Sequence, residues 1–217
     1  MMNIYEFGNL DSGIVLVQPV DDHDLEGIEN EFVAILSNCK MSFRLIAVRI
    51  DDWNKELSPW EAPAVFGKEG FGGRGRETLA KLRQMIEKDI LSGRDMADVK
   101  LCIGGYSLAG LFALWSAYET DLFDGVAAAS PSVWFPGFEE YAKTRTIQAE
   151  TVYLSLGKKE DKVKNPVMAR VSGVISGLHE SISAEADSTL EWNEGNHFTE
   201  PEARTAKAFA CILKKWE

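Results

Sequence analysis

The sequence predicts an α/β fold in which helices cover both faces of a mostly parallel sheet. Three observations carry this. Short apolar runs alternate with amphipathic segments from one end of the chain to the other. Several of those runs, such as Phe43–Ile50 (FRLIAVRI) and Gly125–Ala129 (GVAAA), are apolar without a polar face, as in strands buried on both sides. The central stretch Val99–Tyr118 (VKLCIGGYSLAGLFALWSAY) reads as strand, small-residue turn and apolar helix. With 217 residues, 45% of them hydrophobic and 26% charged, the chain is expected to form a single domain around a substantial core.

In chain order, Ile4–Phe7 reads as a short edge strand and Gly13–Val20 as a clearer one, stopped by Pro19 and by Asp21, Asp22, His23 and Asp24. A helix follows with Ile28, Phe32, Ile35 and Leu36 on its inner face. After the strand 43–50 comes a long irregular segment, Asp51–Gly75, carrying Trp53, Trp60, Phe66 and Phe71; a loop of that length reads as a lid or as packing. Arg76–Leu91 is amphipathic, with Leu79, Leu82, Ile86 and Ile90 inward and Gly93 as its cap. Beyond the central unit, strands are expected at 125–129, 151–156 and 188–193. Asn165 and Pro166 suit the start of a helix over 165–182, and Thr199 with Glu202 matches a capping box for the last helix.

Composition narrows the function classes. A net charge of −11 argues against nucleic acid and anionic membranes as partners. Cys39, Cys102 and Cys211 are odd in number and widely spaced, so they read as free thiols with no metal-type pairing. The start MMNIYEFGNLDSG has neither a basic region nor a long apolar segment, and no run approaches a membrane span. The expectation is a cytoplasmic protein without metal or cofactor.

The chemistry centres on Ser107, set in Gly104-Gly105-Tyr106-Ser107-Leu108-Ala109-Gly110 between a strand and a helix. In a nucleophile elbow the serine sits on a tight turn at the head of a helix, and residues two before and two after must be small; Gly105 and Ala109 are. The Leu108 amide would then face an oxyanion formed beside Ser107. A serine needs a base, and the base needs a carboxylate to set its tautomer. Of three histidines, His197 follows the last strand after a Gly-Asn turn and is the expected base. His23 lies in an acidic loop, and His179 reads as a surface residue on a helix. For the acid, Glu160 and Asp161 both follow the strand 151–156, with Glu194 as a third candidate. In the fold that the order serine, acid, histidine resembles, a second oxyanion donor comes from the loop after the strand preceding the first helix, which implies a backbone amide near Val20 or Asp21 here.

With the chain order serine, acid, histidine, these residues resemble the α/β-hydrolase fold. Within it the chain is similar to the esterase group that includes esterase D, feruloyl esterase domains and siderophore (enterochelin-type) esterases. The resemblance rests on the elbow 105–110, Ser130-Pro131-Ser132-Val133-Trp134, Leu154–Glu160 ending in G-x-x-E, Gly195-Asn196-His197 and Leu57-Ser58-Pro59-Trp60. It implies hydrolysis of a small-molecule carboxylic ester by Ser107, His197 and Glu160 or Asp161. No insertion follows Trp134, so no separate lid domain is expected. Tyr106, Trp53, Trp60 and Trp134 are candidates for lining the substrate site. The rival readings are a thioesterase or acyltransferase with the same triad, or a non-catalytic binding module.

Overall fold

The computed structural model describes residues 2–217. In chain order the elements are β1 (Asn3–Gly8), β2 (Ile14–Val20), α1 (Asp22–Asn38), β3 (Arg44–Arg49), α2 (Trp53–Glu56), β4 (Glu61–Ala62), β5 (Phe71–Gly72) and α3 (Gly75–Asp89). They continue as β6 (Lys100–Tyr106), α4 (Ser107–Glu119), β7 (Gly125–Ala129), α5 (Phe138–Ala142), β8 (Thr151–Gly157), α6 (Val171–Ile182), β9 (Asp187–Asn193) and α7 (Pro201–Trp216).

Seven strands form one sheet in the order β1-β3-β2-β6-β7-β8-β9, and β4 with β5 makes a separate small hairpin. β1 runs antiparallel to β3; every other neighbouring pair in the large sheet is parallel. The α/β expectation therefore holds, with one antiparallel edge strand. Successive side chains along a strand point to opposite faces. On β2, Val15 and Val17 enter one core with Ile103, Trp115, Phe112 and Ile175, whereas Leu16 enters the other with Ile35, Phe209 and Leu213. Helices α3, α4 and α6 cover the first face, and α1 and α7 the second. Helix α4 is buried from Leu108 to Tyr118, which explains why its sequence is apolar all round.

Several boundaries differ from expectation for identifiable reasons. On α1 the inward positions are Gly27, Ile28, Glu31 and Ile35, while Leu36 is exposed and Phe32 half-buried against Phe7 and Phe43. A glutamate thus occupies a place that a purely apolar stripe assigns elsewhere. Helix α3 ends at Asp89, so Gly93 (φ +78°) turns the chain after the helix and does not cap it. Asn165 Oδ1 accepts from the Val167 and Met168 amides and starts a short 3-10 turn before α6. The Thr199–Glu202 capping box does not form. Thr199 Oγ1 accepts from the Asn196 amide 3.1 Å away, and Glu202 packs against Gly27 of α1. His179, expected at the surface, is half-buried with Nδ1 2.9 Å from Ser188 Oγ. Among the described residues no helix is long and apolar enough to cross a membrane.

Candidate active site

Ser107 follows the last residue of β6 and begins α4 with φ 56°, a left-handed conformation that costs a non-glycine residue about 1–3 kcal/mol. The strand-to-helix turn is tight enough that a Cβ on Gly105 would lie 2.7 Å from Ala109 Cβ. Both small residues are therefore sterically required, as the elbow pattern predicts. Leu108 sits in the first turn of α4, where an α-helix leaves its amides without intrahelical acceptors.

The parallel strands β7, β8 and β9 deliver their loops to the same sheet edge. After β7, Ser130 (φ 43°), Pro131 and Ser132 fold back so that the Ser132 amide donates to Ser107 O at 3.0 Å. Ser132 Oγ lies 3.2 Å from Ser107 Oγ. After β8, Glu160 turns inward; after β9, the Gly195 turn brings in His197. Ser107 Oγ is 3.0 Å from His197 Nε2, and His197 Nδ1 is 2.8 Å from Glu160 Oε2. Three loops thus meet in one hydrogen-bonded chain.

Glu160 is buried, which by itself would raise its pKa. Hydrogen bonding and charge from His197, the Gly157 amide and the Ser130 hydroxyl outweigh burial and hold the carboxyl below its usual range. An ionised Glu160 can only accept, so Nδ1 of a neutral His197 carries the proton and Nε2 accepts from the Ser107 hydroxyl. That is the protonation pattern a serine nucleophile needs.

Of the acid candidates, only Glu160 reaches His197. Asp161 pairs with Lys162 at 3.1 Å, and the Glu194 carboxylate pairs with Lys158. Of the other histidines, His23 is highly exposed beside Glu26. The two positions expected to offer a second oxyanion donor are engaged within their own elements. The Asp21 amide donates to Asp24 Oδ2 at 3.2 Å within the capping box of α1, and Val20 lies inside the β2 ladder opposite Arg49.

A cleft of about 320 Å³ opens beside Glu160 and His197, walled by Trp134, Val163, Met168 and Phe198, with Lys159 and Lys162 at its margin. Trp134 therefore lines the site, supported edge-on by Phe66 at 5.8 Å. Trp60 instead packs on Phe135 and Tyr141 and donates from Nε1 to Pro136 O at 2.9 Å. Trp53 is half-buried against the core in α2. The 51–75 segment thus packs on the body of the protein, and its Phe66 backs Trp134 without itself lining the cleft. A larger depression of about 480 Å³, walled by Ile4, Arg49, Lys81 and Met85 among others, holds no serine, histidine or cysteine in its lining. Among the described residues no group of three or more His, Cys, Asp or Glu could hold a metal ion.

One residue escaped sequence reasoning. Arg204 of α7, 4% exposed, directs Nη1 to Glu160 Oε1 at 3.1 Å and to Tyr106 Oη at 3.2 Å, and Nη2 to Glu194 O at 2.6 Å. Tyr106, whose pKa burial raises, donates to His197 O at 2.7 Å and lies with its ring 5.1 Å from the imidazole. Tyr106 therefore holds the His197 backbone and is not part of the cleft lining.

No protein-family model matches the chain, and no curated protein matches it in sequence. Solved structures do. The siderophore hydrolase EstA from Aspergillus nidulans superposes with a TM-score of 0.67 at 16% identity, over 100% of this chain and 95% of that one. An IroE-like serine hydrolase from Shewanella oneidensis gives 0.68 at 13%, over 100% and 77%. The BES protein from Bacillus cereus gives 0.67 at 16%, over 96% and 89%. At these identities the likeness concerns the fold: this chain has the α/β-hydrolase fold.

Proposed function

We propose that this chain is a serine hydrolase that cleaves carboxylic esters through an acyl-enzyme on Ser107. The observation that carries the reading is the unbroken chain Ser107 Oγ–His197 Nε2 and His197 Nδ1–Glu160 Oε2, at 3.0 and 2.8 Å, at the edge of a cleft. It is supported by the structural neighbours, which include a siderophore hydrolase and an IroE-like serine hydrolase. Ser107 Oγ attacks the ester carbonyl carbon while its proton passes to His197 Nε2, and Glu160 stabilises the imidazolium. The oxyanion forms toward the Leu108 amide at the head of α4. When the tetrahedral species collapses, the C–O bond to the alcohol breaks and the leaving oxygen takes the proton from Nε2. Water, deprotonated by the same nitrogen, then attacks the acyl carbon and releases the acid and Ser107. The apolar wall of Trp134, Val163, Met168 and Phe198 suits a small ester with an apolar or aromatic portion.

Turnover of p-nitrophenyl acetate by the wild type and by Ser107→Ala and His197→Ala tests the reading. Loss of kcat on the order of 10⁴–10⁶ in both variants is expected. Turnover that survives Ser107→Ala would overturn it.

A further inference from the structure

We infer that Arg204 is a positioning residue that locks the acid-bearing loop after β8 to the base-bearing loop after β9. The inference rests on Ser107, His197 and Glu160 being the reacting groups, and it concerns how two of them are held.

A glutamate reaches a histidine across one more rotatable bond than an aspartate, and fixing that freedom costs conformational entropy unless the carboxylate is clamped. The clamp here is explicit. Glu160 Oε1 accepts from the Gly157 amide at 2.7 Å, the Ser130 hydroxyl at 2.8 Å and Arg204 Nη1 at 3.1 Å, which leaves Oε2 for His197 Nδ1 at 2.8 Å. The directions are consistent around the ring of contacts. Ser130 gives its proton to Glu160 and Tyr106 gives its own to the His197 carbonyl, so both hydroxyl oxygens are left to accept from Arg204 Nη1, at 3.3 and 3.2 Å. The other end of the fork, Nη2, donates to Glu194 O at 2.6 Å, three residues before His197.

One planar guanidinium therefore touches the acid directly, the His197 backbone through Tyr106, and the chain entering the His197 turn. A lysine, with donors on a single nitrogen, cannot span these points at once. The space is filled: a Cβ on Gly157 would fall 2.8 Å from Gly195 O, 2.9 Å from Glu160 Oε1 and 3.0 Å from Arg204 Nη1. The two loops are in contact across that atom-sized gap, with Arg204 as their common partner. Nearly full burial excludes a role for Arg204 in meeting substrate from solvent.

The test compares Arg204→Met, Arg204→Lys, Glu160→Gln and the double variant Arg204→Met/Glu160→Gln, with kcat and KM measured on p-nitrophenyl acetate. Arg204→Met should lose on the order of 10- to 100-fold in kcat, because misplacing a reacting group by an ångström has that scale, while KM stays within about threefold. Arg204→Lys should recover part of the loss by restoring the contact to Glu160. In the double variant the loss should fall short of the product of the two single losses, since part of what Arg204 does passes through Glu160. Losses that multiply in the double variant, or an unchanged kcat in folded Arg204→Met, would overturn the inference. Should Arg204→Met fail to fold, Tyr106→Phe decides: a fall of about two- to tenfold in kcat is expected for one lost hydrogen bond, and an unchanged kcat contradicts the lock. Failure of the ester-hydrolase reading shows differently, as turnover that survives Ser107→Ala, and takes this inference with it.

Discussion

Glu160 and Glu31 are hidden from solvent to nearly the same degree, 7% and 5% exposed, yet their carboxyls are driven in opposite directions. Glu160 meets donors from His197, Gly157, Ser130 and Arg204, and its pKa falls. Glu31, between α1 and the sheet, meets only Gln18 Nε2 at 3.4 Å, and its Oε1 has no protein partner. Burial, with the charges of Asp24 and Glu202 adding to it against that one hydrogen bond, pushes its pKa up to about 8. Depth does not decide the state of a buried acid; the number and charge of its donors do. One glutamate is held ionised, as a partner for an imidazolium must be. The other is predominantly protonated at neutral pH.

The largest expected effect comes from breaking the ionised member. Glu160→Gln keeps the shape but can donate to Nδ1, which favours the wrong tautomer of His197. A fall in kcat of about 10³–10⁴ is expected, with little change in KM. A loss below tenfold would mean that the carboxylate is dispensable.

The second effect is on stability. A carboxyl raised from 4.5 to about 8 keeps in the folded state a proton that the unfolded chain releases. The stability this confers is fully present below about pH 4.5 and is lost as pH rises to about 8. Glu31→Gln removes that slope. Its unfolding free energy should exceed the wild type's by a margin that grows to a few kcal/mol over this interval, with kcat unchanged; a margin that does not vary with pH contradicts the assignment. The smallest effect is expected of Gln18→Leu, which removes the one donor to Glu31. The carboxyl titration, followed by carbon-13 NMR, should move further upward, while stability in acid changes by about 1 kcal/mol or less.

The same contrast explains what the sequence reveals. The elbow is legible because its constraint is local: Gly105 and Ala109 must be small for a strand and helix that adjoin in sequence. His197 is legible because few histidines exist and its loop leaves a strand at the right edge. Glu160 and Asp161 are not separable from sequence, because neighbours on one turn point apart. The choice is made by Ser130, Gly157 and Arg204, contributed by other loops and by the last helix. Arg204 and Glu31 were missed for a shared reason. Helical periodicity assigns apolar residues to the core and charges to water, so it points Leu36 inward, whereas Glu31 is buried and Leu36 exposed. The engagement of the Asp21 amide is likewise not legible, because it depends on the capping box that Asp21 closes with Asp24.

The most direct test of the central claim is the site of covalent capture. Reaction with a fluorophosphonate followed by peptide mapping should place the adduct on Ser107, and His197→Ala should abolish labelling. Ser132, whose hydroxyl lies 3.2 Å away, is the informative control. An adduct on Ser132, or labelling undiminished in His197→Ala, would contradict the assignment of Ser107 as the activated nucleophile.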